Sequence, residues 1–299
     1  MIDKLEMRSS GQDILLPEKA KRKSSRSLFF EVHSTDRDRR IYRNSNEFRW
    51  RFPAPIKEVQ QLKIIGGSIP RPLYNIDAPY NSFTIEIGGT KSTITISSGS
   101  YDETALASEI AAKINTISSP SNVFTVSISS VTGQFILTRT VGSAAFSLLF
   151  DTGLYRDLID ATTGGLLEPN SPATILGFQP AADVSDGGTG RITSPFAVQL
   201  RDRNSRIYLY LNYESTQDLT AISRGLGRKE PSLIIYMDQG DAFVKFLNKE
   251  TYDLFVLSAP APISRISTLD VSFRDEFYRP INFNGREVTL LFEATAFDY

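Results

Sequence analysis

Residues 33–52 read HSTDRDRRIYRNSNEFRWRF, and this stretch decides what kind of fold the chain adopts. It holds the only His, the only Trp, a DxD triplet and six arginines. Such a cluster is either the seat of metal or acid–base chemistry, or the connection between two structural strands. In EFRWRF (47–52), Phe48, Trp50 and Phe52 alternate with Glu47, Arg49 and Arg51, which predicts a strand with one apolar and one polar face. LFFEVH, just upstream, has the same β-type composition. The residues between them, DRDRRIYRNSN, are polar and end in Asn/Ser turn chemistry. The stretch therefore reads as strand, connection, strand.

The chemical alternative is weaker. Asp36 and Asp38 can hold a divalent cation through carboxylate oxygens. Arg37, Arg39 and Arg40 stand within and beside them, however, and would satisfy those oxygens first. The expectation is an Asp–Arg network at the strand ends, with Tyr42 beside it, and no bound metal. His33 ends an alternating strand, where a structural role is the simpler reading.

Composition points the same way. The chain has 299 residues, no Cys and one His, so thiolate sites, Cys nucleophiles and His-based zinc sites are excluded. There are 19 Phe and 12 Tyr, which suit half-buried pleated surfaces. Net charge is −1, which does not describe a general polyanion binder. No secretory leader pattern, glycosylation sequon or membrane-length apolar run is present, so the expectation is a chain made without secretion or a membrane span. Neither a G-x-x-x-x-G-K-[ST] loop nor a G-x-S-x-G elbow occurs, since GLGRKEPS (225–232) has the wrong spacing. No enzymatic role and no cofactor are expected.

Along the chain, residues 1–27 stand apart. They lack aromatics, and seven basic against four acidic side chains give +3. Lys19, Lys21, Arg22 and Lys23 lie within KAKRKSSR. This predicts a basic N-terminal arm without structure of its own, suited to neighbouring subunits or nucleic acid. PAP (53–55) is expected to end one strand, and VQQLKIIGGSIP (59–70) to start another. Residues 81–150 read β-β-α-β-β: a hairpin around Gly88-Gly89, a helix with Leu106, Ile110, Ile114 and Ile117 at helical spacing, and a second hairpin at Val131-Thr132-Gly133. Residues 151–194 read as an irregular Gly/Pro-rich connection, with SPATILGF (171–178) docking by its apolar residues. Further strand-like runs fill 195–299. The fold class expected is mainly β, an antiparallel β-sandwich of jelly-roll type built from 28–80 and 195–299. An α+β insertion or second small domain, with one clear helix, lies between them.

Arg and Tyr recur at the apparent turns, as in RPLYN (71–75), RDRNSRIY (201–208) and FRDEFYRP (273–280). These residue types favour interfaces, which makes Arg71, Tyr74 and Asn75 candidate contact residues.

The order of these pieces resembles minor capsid proteins of nucleocytoplasmic large DNA viruses. The likeness rests first on residues 29–76: Ser34, Asp36, Arg37, Asp38, Tyr42, Asn44, Asn46, Phe48, Pro53, Pro70, Tyr74, Asn75 and Ile76. Asn81, Phe83, the helical module, ILGF, and Phe283, Asn284 and Gly285 in the C-terminal strand–turn–strand extend it over most of 28–297. Arg43 stands where that family often has Pro. The helix-containing module is also shared loosely with bacteriophage tail and baseplate proteins. The resemblance implies a virion structural protein made in the infected cell's cytoplasm. Its partners would be the major capsid protein and other minor capsid proteins. The alternatives are a phage-type tail or baseplate subunit, and, in another class, a glycan-binding β-sandwich module or a glycan-acting enzyme.

Overall fold

A computed structural model of the chain describes residues 24–118, 120–163, 165–200, 206–213, 217–218, 231–237, 244–248 and 256–297. The basic residues Lys19, Lys21, Arg22 and Lys23 lie outside this set. Strand β1 (Ser25–His33) begins inside the stretch assigned to the arm, so residues 25–27 are strand. A single 3-10 turn (Ser34–Asp36) opens the connection to β2 (Glu47–Pro70).

The α+β unit follows. It contains β3 (Ser82–Ile87), β4 (Thr90–Thr95), α1 (Glu103–Ser118), β5 (Val123–Ile128), β6 (Gln134–Val141) and β7 (Phe146–Leu149). Four short strands continue it: β8 (Leu158–Ile159), β9 (Leu166–Glu168), β10 (Val184–Ser185) and β11 (Arg191–Ala197). The chain then returns to the first sheet through β12 (Arg206–Tyr213), β13 (Gln217–Asp218), β14 (Leu233–Tyr236), β15 (Val244–Asn248), β16 (Val256–Arg274) and β17 (Thr289–Phe297).

The larger body is one antiparallel sheet, in the order β1-β17-β2-β16-β12-β13, with β14 on β12 and β15 on β2. It is the jelly-roll-type body, curled into a half-barrel around a single core. Inward positions alternate as the pleat requires. Leu290, Phe292, Ala294 and Ala296 of β17 are buried, and so are Leu209, Leu211, Val271 and Phe273 of the facing strands. Phe48 is buried, while Trp50 and Phe52 pack beside it, stacked and T-shaped against Phe30.

β2 differs from the expectation that PAP would end a strand. It runs unbroken through Pro53 and Pro55 for 24 residues. Pairing with β16 shifts register between Ile266 and Thr268, opposite this segment, and pairing with β17 reaches only as far as Val59. The prolines thus fall where a missing N–H costs no ladder bond. β16 likewise passes through Pro260 and Pro262, where its register on β2 shifts again. These irregularities, with Glu58 at a φ of 51°, are where the two long strands bend and carry the sheet round the core.

The α+β unit has its own core. Leu106, Ile110 and Ile114 of α1 are buried there, whereas Ile117 near the helix end is exposed. Asp102 caps the helix by accepting from the Ala105 N–H at 2.7 Å. Asn115 ties the last turn to β5, donating to the Phe124 carbonyl and accepting from its N–H, both at 2.8 Å. The hairpin turn uses Gly88 and Gly89 at φ 57° and 81°, a conformation that glycine adopts without strain. The stretch 151–194 belongs to this unit rather than bridging it. Ala173, Ile175, Leu176 and Phe178 are buried in the same core, and β10 and β11 extend its two sheets. Among the described residues no helix is long and apolar enough to cross a membrane.

Candidate functional site

The opening stretch of the sequence builds a polar junction, and its partner is the loop before β17. Ser34 is wholly buried at the end of β1. Its hydroxyl donates to Glu287 at 2.6 Å and accepts from the Val288 N–H at 2.7 Å. Arg37 reaches inward beside it. Its Nη1 donates to the Ser34 carbonyl at 2.6 Å and to Glu287 at 2.5 Å, while Nε and Nη2 reach the Tyr42 and Arg43 carbonyls at 3.0 and 3.2 Å. Ser45 donates to the Arg286 carbonyl. Asn46 donates to the Ile281 carbonyl at 2.6 Å. Burial pushes the Glu287 carboxyl up, but the Ser34 hydroxyl and the Arg37 and Arg39 cations outweigh this and hold it below the usual carboxylate range.

The acidic pair of the DxD is peripheral to this junction. Asp38 binds Arg40, through its backbone N–H at 3.0 Å and its guanidinium at 3.1 Å, and this lowers the Asp38 carboxyl. Asp36 is exposed and accepts from Thr35 Oγ1 at 3.4 Å. Arg39 meets Glu287 at 3.2 Å from the solvent side. The arginine that orders the connection is Arg37, and its acid is Glu287, which the sequence reading did not single out. Gly285, in the turn before it, was the available signal. Nothing local to residue 37 pointed 250 positions ahead. Among the described residues no three metal-ligating side chains converge.

Arg71, Tyr74 and Asn75 belong to a second place, where the chain leaves β2 for the α+β unit. Asn75 clamps that exit, donating to the Tyr101 carbonyl at 2.7 Å and accepting from its N–H at 2.9 Å. Tyr74 lines a small cleft with Tyr80, Asp275 and Asn282. Here the two bodies are bonded to each other. The Tyr80 hydroxyl donates to Asp275, Asn282 donates to Asp77 at 2.7 Å, and Arg279 donates to Glu168 at 2.9 Å and Asn170 at 3.1 Å. The Arg279 guanidinium also lies 4.6 Å from the centre of the Tyr80 ring.

Asp275 shapes the turn that supplies these groups. Its carboxylate accepts from the Phe277 and Arg279 N–H groups at 2.9 and 2.8 Å. Tyr278 is thereby held at φ 65°, a left-handed conformation that a bulky residue seldom adopts. Its ring leaves the seam and joins the polar outer face of the sheet formed by β2, β16 and β12. There it meets Tyr210 at 5.0 Å edge to face, with the Arg274 guanidinium 4.5 Å over it.

The outer face of the opposite part of the sheet mixes exposed apolar residues with Ser27, Glu31, His33 and Glu293. Phe29 on β1, Leu291 on β17 and Phe246 on β15 are 66%, 37% and 72% exposed. The register puts all three on the side away from the core, since Phe30, Leu290 and Leu247 next to them face inward. Gly66, paired with Leu291, adds no side chain between them.

In sequence, the profile of a family of unknown function (DUF5901) matches residues 18–156, a little under half of the chain, spanning the polar connection and most of the α+β unit. No curated protein matches. Among solved structures, the selenomethionine-labelled mavirus penton protein aligns over 92% of this chain and 100% of that one, with a TM-score of 0.37 and 13% identity. A likeness that slight leaves the function to be argued from this chain's own residues.

Proposed function

We propose that this chain is a structural protein of a viral capsid, a minor subunit that underlies or joins major capsid subunits or occupies a vertex. The observation that carries the reading is a set of exposed large apolar residues on the outer face of β1, β17 and β15. Phe29, Leu291 and Phe246 stand there among the polar Ser27, Glu31, His33 and Glu293, while the inner side of the same strands is covered by the chain's own core. Exposed large apolar residues rimmed by polar ones are the pattern of a surface that a partner covers. β1 adds a second handle. It pairs with β17 over nine regular residue pairs, and no described strand lies on its other edge, where a strand from a neighbour would add to the sheet. The resemblance of residues 29–76 to minor capsid proteins names the kind of neighbour. The residues of that motif build a rigid junction, which suits a subunit that bears load and catalyses nothing.

The test is a cryo-EM reconstruction of the virion. The expected result is density for this chain at repeated lattice positions, with Phe29, Leu291 and Phe246 against another subunit. Absence of the chain from purified particles, or turnover of a glycan substrate by the purified protein, would refute the reading.

A further inference from the structure

A groove lies on the polar outer face, apart from the exposed Phe29, Leu291 and Phe246. It has a volume of about 220 Å³, and its lining is more polar than apolar. The strand register stacks its floor in rows: Asn212, Asp270 and Arg49 lie abreast, and Tyr210, Ser272 and Glu47 lie abreast in the next row. Tyr42 and Tyr278 also line it.

We propose that this groove binds a neutral saccharide, engaging one sugar ring at a time. Three features select that chemistry. First, the cations are compensated within the site. Arg49 grips Asp270 with two bonds, at 2.5 and 2.7 Å, and Arg274 binds Glu47 at 3.0 Å and the Tyr278 carbonyl at 3.2 Å. An anion would have to displace these carboxylates, whereas hydroxyl groups can share their remaining lone pairs and protons. Second, the aromatic ring is fixed in advance. Tyr278 is held by the Asp275 turn, by Arg274 over one face and by Tyr210 edge to face, so the ring it brings to the groove wall is ordered at small entropic cost. Interleaved donors and acceptors beside an ordered aromatic ring match a pyranose, which has hydroxyls at its rim and C–H groups between them. Third, the groove is smaller than the roughly 300–1,000 Å³ that encloses a drug-sized ligand, so one ring fills it.

The experiment is saturation-transfer NMR on the full chain with neutral methyl glycosides of mannose, galactose and N-acetylglucosamine, and with sodium sulfate as competitor. At least one glycoside is expected to receive saturation, and sulfate should leave it in place. Tyr278→Gly removes the ring yet suits the positive φ. With the fold checked by circular dichroism, it should weaken binding about tenfold or more. Asn212→Ala should weaken it as well, and decides the matter alone if Tyr278→Gly does not fold. The proposal falls if no neutral glycoside is saturated, if sulfate displaces the glycoside, or if the folded variants bind as the parent does.

Discussion

The Arg37 guanidinium meets the Glu287 carboxylate at 2.5 Å, although 250 residues separate them in the chain. The pair fastens the first connection of the β body to its last, because Ser34 bonds both partners and the start of β17 at once. Only 5% of the Arg37 side chain is exposed. Arg37→Ala leaves the buried carbonyls of Ser34 and Tyr42, and part of Glu287, without their donor. Removing one member of a buried pair costs about 3–5 kcal/mol. Glu287 is partly in water, so a loss of about 2–4 kcal/mol in urea unfolding is expected. Arg37→Lys should recover little, since one ammonium cannot reach the acceptors that the planar guanidinium serves together.

Acid sensitivity follows from the same carboxyl. Glu287 has a folded pKa below its unfolded value of about 4.3. Its contribution is therefore fully present above that pH and is lost as pH falls through the lower folded value. Asp157 has the opposite sign. Burial raises it, against the bonds from the Asn170 and Ser171 N–H groups, so it favours the fold at low pH and costs stability once ionised. Urea midpoints measured across the acid range should show Glu287→Gln flattening the acid loss. Asp157→Asn, which keeps an acceptor oxygen, should remove the opposing trend. An unchanged acid slope in Glu287→Gln would show that the pair does not set it.

Much of the architecture was legible in local pattern. Alternation in EFRWRF, the Gly88-Gly89 turn and the apolar spacing of α1 each report on a few neighbouring residues, and each describes what the structure contains. What was not legible depends on partners far along the chain. Pro53 and Pro55 look like strand breakers until the register shift in β16 shows that no ladder bond is needed there. Arg37 looks like a partner for Asp36 or Asp38, its sequence neighbours, until Glu287 is brought in by β17. The stretch 151–194 looks loose because its short strands carry no periodicity of their own, and β10 and β11 find their pairing partners in β7 and β6.

Gly67 is expected to tolerate no side chain. A Cβ there would stand 2.4 Å from the Thr289 carbonyl oxygen on the neighbouring strand, at a φ of 149°. Gly67→Ala must shift β2 away from β17 or strain its own backbone, at about 1–3 kcal/mol. Gly89→Ala, in the open hairpin turn, meets nothing within 4 Å and bears the conformational cost alone. Thermal denaturation should rank Gly67→Ala as the more damaging change.

Phe178 tests whether 171–178 is part of the α+β core. Its ring is buried, 5.3 Å from Phe150 and 5.7 Å from Phe135. Phe178→Ala should cost about 3–5 kcal/mol through lost burial and the cavity left behind. If the segment were a loose connection, the change would be near neutral in urea unfolding.

The exposed apolar residues of the outer face separate an assembling subunit from a self-sufficient one. Leu291 and Phe246 make no contribution to the inner core, so replacing both with Asp removes apolar surface from water without opening a cavity. The isolated protein should keep its unfolding midpoint to within about 0.5 kcal/mol, as surface changes usually do. Its solubility should rise. Incorporation into particles should fall sharply, because a carboxylate buried against a partner's apolar surface has no compensating charge. Particle incorporation can be measured by expressing the variant in an infected cell and quantifying the chain in purified virions against the parent. Normal incorporation with an intact fold would show that this face meets solvent in the particle, and the partner surface would then have to lie on the β1 edge alone.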